Sequence, residues 1–157
     1  MTSETRLYWD DFRAGQEFEL GRRTVTKEEI VRFATAFDPQ PFHIDEEAAK
    51  SYPYGGLIAS GWHTASMVMR LFVDGLLATR APSLGSPGID ELRWLKPVRP
   101  GDTISLRLIV LEARASRTKP DRGLLIVRHE LSNQAGEMVL TMRSKGLFPR
   151  RPAGAAA

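Results

Sequence analysis

The hydrophobic period of this chain changes near residue 88 from helical spacing to period two, and that change limits the folds open to it. Before it, Ala65, Val68, Met69, Leu71, Phe72, Leu76 and Leu77 fall on more than one side of a helix that begins at Ser60 or Gly61. A helix apolar on several sides has to be largely buried. After it, residues 88–95, 103–113, 123–133 and 137–148 alternate with period two, with turn-forming stretches at 97–102 and 133–136. That is the pattern of antiparallel strands. Upstream, residues 17–25 read as a further strand, and Thr26-Lys27-Glu28-Glu29 fits a capping box with Thr26 as N-cap. Ile30, Phe33, Ala34 and Phe37 then recur at helical spacing, and residues 45–50 add another turn or two. One apolar helix, a single sheet and four strands in meander-like succession predict an α+β domain whose antiparallel sheet wraps the long central helix. The open edges of such a sheet predict self-association, at least to a homodimer.

The chemistry concentrates in Asp38-Pro39-Gln40-Pro41-Phe42-His43, a carboxylate and an imidazole five residues apart on a segment stiffened by two prolines. Each proline fixes its own φ and pushes its predecessor out of the α region, so the stretch is expected to be a preset loop rather than helix. Asp is ionised near neutral pH while His titrates there. Held together, one moves a proton and the other orients the partner, which suits the activation of one water molecule.

Composition excludes several other classes. The 157 residues suit one domain, divided as a lead-in at 1–14, a folded unit at 15–149 and a disordered tail at 150–157. With no cysteine, disulfides, thiolate nucleophiles and thiolate metal sites are excluded. No apolar run approaches the roughly 18 residues of a membrane span, and the charged N-terminus lacks an apolar signal core, so a cytoplasmic protein without a membrane partner is expected. Arginine supplies 17 of the 22 basic residues, yet the net charge is only +3 and no nucleic-acid-binding signature accompanies it. Some of these arginines suit a phosphorylated ligand; a compositional bias accounts for them equally well. His43 and Asp45 form a His-x-Asp pair without a third ligand, so no metal is expected.

The run Phe33-Ala34-Thr35-Ala36-Phe37-Asp38-Pro39-Gln40-Pro41-Phe42-His43, with Ala49 six positions on, resembles the signature of the MaoC-like dehydratases, which include the R-specific (type-2) enoyl-CoA hydratases. Gly56-Leu57-Ile58-Ala59-Ser60-Gly61-Trp62-His63 is similar to the second block of that family. Asp90-Glu91-Leu92-Arg93-Trp94-Leu95-Lys96-Pro97-Val98-Arg99-Pro100-Gly101-Asp102 is similar to the third. The resemblance spans about residues 15 to 148 and implies a hot-dog fold. It implies that Asp38 and His43 hold the water that adds across the Cα=Cβ bond of an enoyl thioester, while the Gly61 backbone N–H faces the thioester oxygen. No cofactor is implied, and the substrate would be carried on CoA or acyl carrier protein. The chain departs from the pattern at Gln40, often Asn; at Ala36-Phe37, often a small residue and glycine; and at Ser60-Gly61, often His-Gly.

Around this core, Gln40, Ser60, Arg93 and Lys96 are candidate substrate-binding residues, the last two for CoA phosphates. His63 is read as structural, His129 as a core or interface residue, and Trp62 and Trp94 as packing residues. Two alternatives share the fold: a thioesterase that directs water at the thioester carbonyl, and a non-catalytic acyl-thioester-binding partner subunit.

Overall fold

The structure, a computed structural model, describes residues 5–154. The start of the expected lead-in (1–4) and the end of the expected tail (155–157) lie outside the described residues. Strand β1 (Glu17–Thr24) leads into helix α1 (Lys27–Phe37), followed by the short helices α2 (Pro41–Ile44) and α3 (Glu46–Ala49). The central helix α4 (Gly61–Phe72) continues through a π-helical turn at Val73–Leu77. Strands β2 (Gly88–Trp94), β3 (Thr103–Ala115), β4 (Arg122–Ser132) and β5 (Met138–Pro149) complete the chain.

The five strands form one antiparallel sheet in the order β1-β3-β4-β5-β2. Only β3, β4 and β5 follow the expected meander; β2 crosses to pair with β5 rather than with β3. The segment 97–102 is therefore a crossover, not a hairpin turn. It is anchored where Ala59 N–H donates to the Val98 carbonyl (2.8 Å) and Val25 N–H to the Asp102 carbonyl (2.8 Å).

Packing follows from the two periods. Met67, Val68, Leu71, Phe72 and Leu76 are buried on the helix side, and Ile104, Leu106, Leu108, Val110, Leu125, Val127, Leu131, Leu140 and Met142 on the sheet side. At Gly75 the helix touches the first strand: a Cβ there would lie 2.7 Å from the Leu20 carbonyl oxygen, so only glycine allows this approach. The chain ends are joined as well. Arg150 bonds the Asp10 carboxylate (3.0 Å) and Arg151 the Asp11 carboxylate (2.7 Å), so the chain is tied down past Pro149.

His129 is completely buried on β4, with Nε2 3.1 Å from Ser144 Oγ and its ring edge-on to Phe72. Burial lowers its pKa from 6.5 to about 4. The unfolded chain thus binds the proton more readily, so stability is complete above about pH 6.5 and falls as pH drops toward 4. Urea denaturation should lose about 1.4 kcal/mol per pH unit over that window. A His129→Gln variant should show a shallower slope there, the remainder coming from His63, whose pKa burial also lowers; an unaltered slope would assign the effect to other groups.

Candidate active site

The site is assembled where α1 ends and α4 begins. Thr26 caps α1 by accepting from the Glu29 N–H (3.2 Å). The Glu29 carboxylate takes a bond from Arg23 and another from the Thr26 hydroxyl, rather than reaching back to the Thr26 backbone as a complete capping box would. Helix α1 stops at Asp38, whose N–H still donates to Ala34. The residue before a proline is disfavoured in α geometry, and Asp38 has left it (φ −154°, ψ 66°).

Contrary to the expectation of an extended loop, the second proline starts a turn of helix. Pro41 stands at the first position of α2, where a missing N–H costs nothing. That turn rotates His43 inward. Its Nδ1 lies 2.8 Å from the Ile58 carbonyl, and the Ile58 N–H donates to the Phe42 carbonyl (3.1 Å). Phe42 packs on Tyr52 and Tyr54. A carbonyl only accepts, so His43 Nδ1 carries a proton, and in its neutral form the ring presents the Nε2 lone pair on the other side. That Nε2 lies 3.3 Å from Asp38 Oδ2.

Asp38 is clamped from both sides. The Ser60 hydroxyl donates to Oδ2 (2.7 Å) and the Gln40 amide donates to Oδ1 (2.7 Å). Partial burial pushes the Asp38 pKa up, but these two bonds and the His43 charge outweigh it, so the pKa is lowered and the carboxylate stays ionised. Ser60 also accepts from the Trp62 N–H (3.3 Å), serving as N-cap of α4. The first N–H groups of a helix have no intrahelical partner, and the dipole adds positive character there. Gly61 presents this end to a cavity of about 400 Å³ that Asp38, His43, Thr64, Tyr54 and Trp94 also line.

Among the residues singled out from sequence, Asp38, Gln40, His43, Ser60 and Gly61 come together here. Gln40 and Ser60 point their polar groups at Asp38. Lys96 lines the same cavity, with its ammonium on Glu137. Arg93 does not line it; its guanidinium pairs with Glu91. His63 lies off this cavity, stacked on Phe33.

Sequence reasoning missed how Trp94 is used. Its indole N–H donates to the Gly61 carbonyl (2.8 Å), and its ring lies where a Cβ on Gly61 would come within 2.6 Å. Tyr54 was missed as well, and no signal beyond the turn residues around it marks it. Among the described residues no His/Asp/Glu cluster has metal-binding geometry, and no helix is long and apolar enough to cross a membrane.

A sheet wrapped on one helix defines a hot-dog domain, and a carboxylate–imidazole pair stands beside that helix's N-terminus. Residues 11–128 match the MaoC like domain family, and the chain belongs to it. The (R)-specific enoyl-CoA hydratase of Rhodospirillum rubrum is 30% identical over 92% of this chain and 93% of its own. The 3-hydroxybutyryl-CoA dehydratase of Methylorubrum extorquens is 30% identical over 72% and 69%. Among solved structures, a MaoC-like dehydratase from R. rubrum superposes with a TM-score of 0.84 at 41% identity, covering 93% of this chain and 99% of that one.

Replacing Ser60 with Ala removes the donor to Asp38 Oδ2 and should raise the Asp38 pKa toward its ordinary value of about 3.9. A carboxyl NMR titration reads this directly. An unchanged Asp38 pKa would show that the Ser60 bond does not hold the charge.

Proposed function

We propose that the protein is a hydro-lyase that adds water across the Cα=Cβ bond of a trans-2-enoyl thioester, and removes it in the reverse direction. The observation that carries this reading is the 3.3 Å pairing of His43 Nε2 with Asp38 Oδ2 in a cavity that also exposes the N-terminus of α4 at Gly61. Two acceptors so placed take the two O–H bonds of a single water.

In hydration, His43 Nε2 takes one proton as the water oxygen bonds to Cβ. The π electrons move to Cα and the thioester oxygen, where negative charge develops. The Gly61 N–H and the helix dipole stabilise that charge. Asp38, kept ionised by Ser60 and Gln40, has no proton of its own to give at neutral pH. It orients the water and holds the imidazolium formed at His43. The same proton is then returned to Cα, so the addition is neutral overall: one O–H bond and the Cα=Cβ π bond break while one C–O and one C–H bond form.

The relatives named as CoA hydratase and dehydratase support CoA as the carrier. Trp62, Met69, Ile89, Trp94 and Leu95 are exposed apolar side chains on α4 and around β2, one of the two edges of the sheet. They favour a second copy of the chain against this face.

Incubation with crotonyl-CoA should remove the conjugated enoyl absorbance without releasing thiol. Asp38→Asn and His43→Gln should each lower turnover by about 10²-fold or more with unchanged urea midpoints. Release of free CoA would assign the site to a thioesterase instead. Near-full activity in either variant would remove that residue from the mechanism.

A further inference from the structure

A second cavity, also about 400 Å³, lies between β1, α1 and α4. Neighbouring residues part between the two: Asp38 and Trp62 line the first, Phe37 and His63 the second. We propose that this second cavity binds a small organic oxyanion, a carboxylate or a phosphate, by its charged edge. The inference is independent of the hydration chemistry and goes beyond it.

Charge is the first argument. Arg23, Arg32 and Arg70 line the cavity. Arg23 is taken by Glu29 (2.8 Å) and Arg70 by Asp74 (2.7 Å), while no carboxylate of the described residues lies within ion-pair distance of Arg32. Three cationic groups thus face two carboxylates, leaving one positive charge in excess.

Unpartnered polar atoms are the second argument. Two buried side-chain nitrogens without a hydrogen-bond partner, Arg23 Nε and His63 Nδ1, belong to side chains lining this cavity. Buried donors without partners are rare because each forfeits its hydration, and a guanidinium N–H can only donate. His63 itself is 6% exposed, with Nε2 facing Glu29 at 3.7 Å. An arriving oxyanion, with a modest shift of these side chains, supplies the acceptor that Arg23 lacks and the counter-charge that Arg32 lacks.

The rest of the lining selects an organic ligand over a bare ion. Phe33 stacks on His63, and Phe37, 76% exposed, forms an aromatic rim 5.2 Å from Phe33. A planar or short aliphatic body fits against these rings with its charge toward the arginines.

The test is titration of the full-length protein with sodium glutarate and, separately, inorganic phosphate at constant ionic strength, following the His63 ring resonances by NMR. Saturable shifts with a Kd of order 1 mM are expected. Arg32→Gln should weaken binding by roughly tenfold. A response to glutarate, with or without one to phosphate, supports the site; a response to inorganic phosphate alone overturns the choice of an organic ligand. Absence of saturable shifts with either ligand overturns the proposal, as does a Kd indifferent to Arg32→Gln. Crotonyl-CoA hydration by the unmodified protein, measured in parallel, reports on the other cavity alone.

Discussion

The structure depends on the burial of one helix that is apolar around most of its girth. A single sheet face cannot cover such a helix if it stays flat, so five strands must curl about it. Curling leaves the N-terminal end of α4 uncovered. The chain between α1 and α4 has to pass over that end, and its two prolines and the aromatic cluster of Phe42, Tyr52 and Tyr54 decide how closely it lies there. The candidate site is thus placed by the demands of the core.

Within the site, Ser60 links secondary structure to chemistry. Its hydroxyl accepts at the start of α4 and donates to Asp38 at the end of α1. One side chain thereby sets the spacing between the helix dipole and the carboxylate. The Ile58 carbonyl does the equivalent for His43 by fixing which ring nitrogen is protonated. Neither control needs a charged residue beyond the pair itself, which lets the acid and the base face the cavity without competing ion pairs.

Much of this was legible in the sequence because it follows from period and proline. The apolar faces of α4, the alternation in β3 to β5 and the N-cap at Thr26 are local signals, and each appears where the pattern places it. The crossover that pairs β2 with β5 was not legible, because strand partners depend on which edge remains open once β3, β4 and β5 are joined. Neither was the helical turn at Pro41: the proline rules act on single residues, while that turn is stabilised by the bonds that Phe42 and His43 make with Ile58, elsewhere in the chain. Asp38 and His43 could be nominated from residue type and spacing, and Gly61 from the family resemblance. Trp94 could not, since its meaning rests on a contact across 33 residues of chain.

That contact ties two positions into one heritable unit. The indole of Trp94 fills the volume that any side chain at position 61 would need, and its N–H holds the Gly61 carbonyl. Position 61 can acquire a side chain only if position 94 gives up its ring, and a smaller residue at 94 would open the helix terminus to solvent. Substitutions at 61 and 94 are therefore expected to arise together among descendants of this chain or not at all, and a library that varies either position alone would sample mostly broken geometries.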